Sequence, residues 1–188
     1  MENTTMENTR TKTTRNSLIL LLTAAIWGMA FVSQSKGMDY MHPFTFNGVR
    51  SLIGAASILV YILISRKIAG DKAAPLDWKL NVKAGLLCGI FLTIASTLQQ
   101  FGIKYTSVGK AGFITTLYII FVPMFGIFLK KKVAPVVWAA AVMAAVGMYL
   151  LCMTESLRLG AGDIMVFLCA IAFAIQIMTV DHYAARID

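Results

Sequence analysis

Six long apolar runs, separated by short polar or basic connectors, leave this chain few ways to fold. They occupy residues 17–33, 44–65, 82–101, 111–129, 133–152 and 163–180. A bilayer core about 30 Å thick is crossed by about 20 apolar residues in helical form. Lipid offers no partner to a backbone N–H or C=O, so each run must satisfy its own hydrogen bonds as a helix. The expected fold is therefore an all-α integral membrane protein, a multi-span helical bundle with six transmembrane helices. Composition agrees: 58% of the residues are hydrophobic and 14% charged, where a soluble domain carries about a quarter charged. A net charge of +8 would suggest nucleic acid in a soluble chain. Here the charges sit between apolar runs, so the expected partner is the lipid bilayer and not nucleic acid.

Residues 1–16 differ in kind. They repeat MENT within MENTTMENTR and continue as TKTTRN, a polar tail expected to be disordered. The tail and first span are not expected to be a cleaved signal, because the apolar run is long and no clear small-residue site follows it. Basic residues set the orientation. Twelve of the seventeen fall on one side: in the tail, between spans two and three, in Lys130-Lys131-Lys132 and at Arg186. Four fall on the other side, Lys36, Lys104, Lys110 and Arg158, and Arg50 lies within span two. By the positive-inside rule the N-terminus is cytoplasmic, and the expected location is the plasma (inner) membrane. Cys88, Cys152 and Cys169 lie within or at the edges of apolar runs with no metal-ligand spacing, and read as small buried hydrophobes.

Polarity enters the spans in stripes. Span two carries Asn47, Arg50, Gly54, Ser57 and Tyr61 on one helical face. Arg50 lies about 9 Å into its span at 1.5 Å per residue. An arginine there either snorkels to the near interface or faces the bundle interior. In the second case it is a fixed cation that attracts carboxylate groups. Span three carries Thr93, Ser96, Thr97 and Gln100, with Gln99 beside them; span one carries Thr23, Trp27, Ala30 and Gln34; span four carries Thr115, Thr116 and Pro123. Any one such stripe can be a helix-packing seam, but four in succession favour a shared wet cavity. Pro123 lacks an amide donor and clashes with the carbonyl of Ile119, so a kink or hinge is expected there. Gly85 and Gly89 form a GxxxG spacing that favours close helix contact. Span five is alanine-rich and reads as scaffold. Asp163 opens span six as a cap. The spans hold no central Asp, Glu or His, and no nucleophile–base pair or metal cluster can be assembled. No enzyme, metal site or cofactor is expected.

Several stretches in order carry a resemblance: AAIWGMAFVSQSKG followed by His42-Pro43, FNGVRSLIGAA with Arg50, QQFGIKYTSVGKAGFITTLYIIFVPMFGIFL, WAAAVMAAVGMYLL and GAGDIMVFLCAIAFAIQIM. Together they resemble the EamA family of the drug/metabolite transporter superfamily. The resemblance implies two five-helix repeats of opposite topology, ten spans in all. Residues 17–152 would be the first repeat, and 163–180 the first helix of a truncated second. FLCAIAFAIQIM laid on LLTAAIWGMAFV pairs Phe173 with Trp27. The resemblance also implies that the first four helices of a repeat line the substrate cavity and that the fifth is peripheral. On this basis Trp27, Arg50, Gln100 and Tyr118 join Asn47, Thr93 and Thr115 as cavity candidates. The family's acidic end after span four is replaced by Lys130-Lys131-Lys132. The implied function is export or exchange of small metabolites, such as amino acids or drug-like compounds, by alternating access. The alternatives are a half-size subunit that must form a homodimer, and a non-transporting or remnant membrane protein.

Overall fold

A computed structural model of the chain describes residues 2–70, 77–130, 133–152, 160–184 and 186. Lys72, Lys131, Lys132, Glu155 and Arg158 fall outside that set. Among the described residues seven helices follow one another: α1 (Glu2–Gly37), α2 (Pro43–Ala69), α3 (Trp78–Tyr105), α4 (Val108–Thr116), α5 (Tyr118–Phe128), α6 (Pro135–Cys152) and α7 (Ala161–Ala184). No strand occurs among the described residues. Five stretches are long and apolar enough to cross a bilayer: Thr14–Gly37, Pro43–Ile68, Trp78–Tyr105, Val108–Phe128 and Ala161–Ala184. The fifth expected span corresponds to α6, whose apolar part, Pro135–Gly147, is shorter. The protein is a multi-pass all-α membrane protein.

Two features depart from the sequence-based expectation. The tail is helical from Glu2, continuous with the first span. It contains neither Gly nor Pro, and a helix already nucleated by the following span propagates at low cost. The break in span four falls at Leu117, not around Pro123. There the Leu117 N–H bonds to the carbonyl of Ile114 at 3.2 Å, a tightened turn. Just before it, the Thr116 hydroxyl donates back to the Gly112 carbonyl at 2.7 Å, an arrangement that bends helices. Pro123 sits buried within α5.

The helix starts are locally encoded. Pro43 occupies the first turn of α2, and His42 Nδ1 accepts from the Phe44 N–H at 3.4 Å. Asp77 Oδ1 accepts from Leu80 N–H at 3.1 Å, and Ser107 Oγ from Lys110 N–H at 3.2 Å. Each satisfies an orphan amide of the first turn.

The core lies along α3 and α7. Gly102 and Gly162 bring the two backbones together. A Cβ on Gly162 would stand 2.7 Å from the Tyr105 carbonyl carbon, and one on Gly102 would stand 2.3 Å from Val166 Cγ2. Such close approach is what small residues allow between helices in lipid. Two clusters extend the seam: Ala95, Cys169, Ala172 and Phe173 on one side, and Ile103, Ala111, Ile114 and Val166 on the other. Gly85 and Gly89, the expected contact motif, face open space. α6 lays its alanines on α4 and α5, burying Ala141. Cys169 is buried and Cys88 half-buried; the side chain of Cys152 lies outside the described set.

Candidate functional site

Helix α3 carries a polar face at Ser96, Gln99 and Gln100, spaced i, i+3, i+4 so that they share one side. Each residue reaches a different neighbour. Asn47 Nδ2 of α2 donates to the Ser96 carbonyl at 3.0 Å. Gln99 Nε2 donates to Thr115 Oγ1 of α4 at 3.3 Å. Gln100 Nε2 donates to the Gln34 carbonyl of α1 at 3.3 Å. α3 is therefore the hub that ties α1, α2 and α4 by polar contacts in an apolar bundle.

Arg50 extends this set. Its Nη2 donates to Asn47 Oδ1 at 3.1 Å, and its guanidinium lies 5.8 Å from the Phe46 ring centroid. Asn47 is thus used at both ends: its amide nitrogen holds α3, and its carbonyl oxygen orients the arginine. Gln34 and Gln100 are 4% and 0% exposed, and the Oε1 of each is buried with no partner among the described residues. An unpaired buried carbonyl costs about 1–3 kcal/mol. Two adjacent amides in this condition form an acceptor-rich site that an N–H or O–H donor would satisfy.

The antiparallel register orders the set by depth. His42 stacks on Phe44, and both meet Phe101 edge-on at this end of the bundle, with centroids 5.1 to 5.7 Å apart. Gln34 and Gln100 come next, then Asn47 with Ser96, about one turn or ~6 Å deeper. Arg50 lies one turn further along α2.

The sequence-derived candidates separate in the structure. Asn47, Arg50, Gln100 and Thr115 enter the network. Tyr118 packs instead against the apolar cluster around Ala95 and Phe173. Thr93 is exposed and donates to its own helix at the Gly89 carbonyl, 2.7 Å. Trp27 is 53% exposed. Gln34 and Gln99 were visible in the stripes of spans one and three, but a stripe does not say which member meets a neighbour.

A second polar cluster was read only as a cap. Asp163 does accept the Gly160 N–H at 2.9 Å, as a capping carboxylate should. It also forms an ion pair with Lys110 Nζ at 2.7 Å and accepts from the Thr106 hydroxyl. Asp163 is 3% exposed. The pair joins the α3–α4 turn to the start of α7. Its partners lie more than fifty residues away in sequence, so no local spacing announces it.

These features match known proteins in one way. The EamA-like transporter family is matched over residues 15–153. A curated relative, an uncharacterized transporter of Archaeoglobus fulgidus, is 31% identical over 171 residues, covering 88% of this chain and 48% of the relative. The chain thus spans about half the length of that relative. No solved structure matches it. The chain belongs to the EamA-like transporter family, in keeping with the drug/metabolite transporter superfamily.

Proposed function

We propose that this chain supplies one wall of a carrier for small organic solutes, such as amino acids or drug-like compounds, working by alternating access in the plasma membrane with the N-terminus in the cytoplasm. The observation that carries this reading is the buried polar network on α3, with two glutamine oxygens left unpaired and Arg50 beyond them. A helix bundle gains nothing from stranding such groups in an apolar interior, whereas a solute can pair with them when it binds. Arg50 would meet a carboxylate or other anionic group, and Gln34 and Gln100 would accept from a donor. Arg50 and Trp27 are exposed. The opposite wall of the cavity therefore belongs to further helices, in a longer chain or in a second copy.

The test is uptake of a panel of labelled metabolites into proteoliposomes. For whichever solute is carried, Arg50→Ala should reduce flux about tenfold, the loss of one charge-assisted contact, and Gln100→Leu should do similarly. Flux unchanged by Arg50→Ala, Gln100→Leu and Trp27→Ala would discard the cavity assignment.

A further inference from the structure

At the end of the bundle opposite Gln34 and Gln100, a groove of about 530 Å³ opens between α3, α5 and α7. Its wall is apolar and largely aromatic, built from Phe91, Phe125, Phe128, Ile175, Met178 and Tyr183 among others. None of the polar network lines it. Close to a wall residue of each of these helices, on this same side, stands a cation. Lys83 stands one turn before Leu87 of the wall, Lys130 directly follows Leu129, and Arg186 bonds to the Tyr183 carbonyl through its N–H at 2.9 Å. All three are exposed, and they outnumber the neighbouring Asp181. Among the described residues, Asp77 is engaged as the cap of α3.

Lys130 adds an independent sign. Its φ is +58°, and it is the non-glycine residue with positive φ among the described residues. Helices commonly end in this left-handed conformation, but with glycine, because a Cβ is disfavoured there. A lysine kept at such a position trades backbone ease for a charge.

We infer that this groove is a binding site for an anionic phospholipid, with one acyl chain lying along the aromatic wall and the phosphate headgroup held by Lys83, Lys130 and Arg186. The charge pattern selects the occupant. Any apolar groove open to a bilayer takes up a hydrocarbon chain, but the exposed Lys83, Lys130 and Arg186, each within four residues of a wall residue, favour an anionic headgroup at this end. Basic pockets between transmembrane helices are known binders of such headgroups. The site stands apart from the solute cavity and does not depend on transport.

Native mass spectrometry of the full chain, released from nanodiscs of mixed phosphatidylcholine and phosphatidylglycerol, reads this directly. Wild-type protein should retain phosphatidylglycerol under conditions that strip phosphatidylcholine. Lys83→Gln with Arg186→Gln should lower that retention about tenfold, while Lys36→Gln with Lys104→Gln, at the other end, should leave it intact. Lys130→Gly separates lipid binding from folding, because it relieves the backbone while removing the charge. It should raise thermal stability in phosphatidylcholine and still weaken retention. A photo-crosslinker at Phe91 should capture lipid in native membranes. Equal retention across all variants would overturn the assignment. So would a crosslink to protein, because another helix would then fill the groove.

Discussion

α1 and α7 are both long apolar helices, yet they pack in opposite ways. Along α7, Val166, Cys169, Ala170 and Ala174 are fully buried against α3 and its neighbours. Along α1, Leu18 through Leu22 are each more than half exposed, and α2 is similar over Ile58–Tyr61. Apolarity places both in the bilayer but selects no partner, because lipid tails are as apolar as leucine. What distinguishes α7 is side-chain size at the contact, Gly102 against Gly162, together with a buried ion pair at the same end. α1 and α2 meet the seam more sparsely, through the Gln34–Gln100 and Asn47–Ser96 hydrogen bonds and the packing of Phe31, His42 and Phe44. One part of the molecule is a tight seam, and the other joins it by a few polar and aromatic contacts.

The strongest way to break this contrast is Gly162→Leu. The nearest obstacles are backbone atoms of Tyr105 and Gly102, which cannot rotate away. Destabilisation of more than about 3 kcal/mol is expected, visible as a large fall in melting temperature in detergent. A mild effect would mean that α3 and α7 are not in close contact. Asp163→Ala is next. It removes the Lys110 ion pair, the Thr106 hydrogen bond and the Gly160 cap together, and should cost about 2–3 kcal/mol by the same assay. Because Lys110 keeps some contact with water, it can be solvated when left alone, which limits the loss. The smallest effect is expected at Gly85→Ala and Gly89→Ala. Both sites open onto space within α3, so the change should be neutral or stabilise the helix by up to about 1 kcal/mol each. Marked destabilisation at either would restore the GxxxG as a contact and weaken the distinction drawn above.

The candidate site was partly legible in advance. Asn47, Arg50, Gln100 and Thr115 stood out because a polar residue inside an apolar run is costly unless something meets it. Tyr118 and Thr93 were indistinguishable from them at that level. An aromatic hydroxyl or a threonine fits a helix surface equally well by bonding its own backbone or packing on a neighbour, and the structure takes those routes for Thr93 and Tyr118 respectively. The expected kink shows the same gap. Proline marks where an N–H is missing, but the discontinuity appears at Leu117, next to a threonine that back-bonds to its own helix.

The amino-acid sequence alone determined the membrane class and the apolar spans, because these follow from run length and composition. It also carried the ordered motifs by which the chain belongs to its family. Only the tertiary structure decided which helices meet. Gly102 finds Gly162, Lys110 finds Asp163 and Gln100 finds Gln34. Inside lipid no solvent-driven force separates right from wrong neighbours, so pairing depends on shape and on a few polar contacts between residues more than fifty positions apart, which no local pattern encodes.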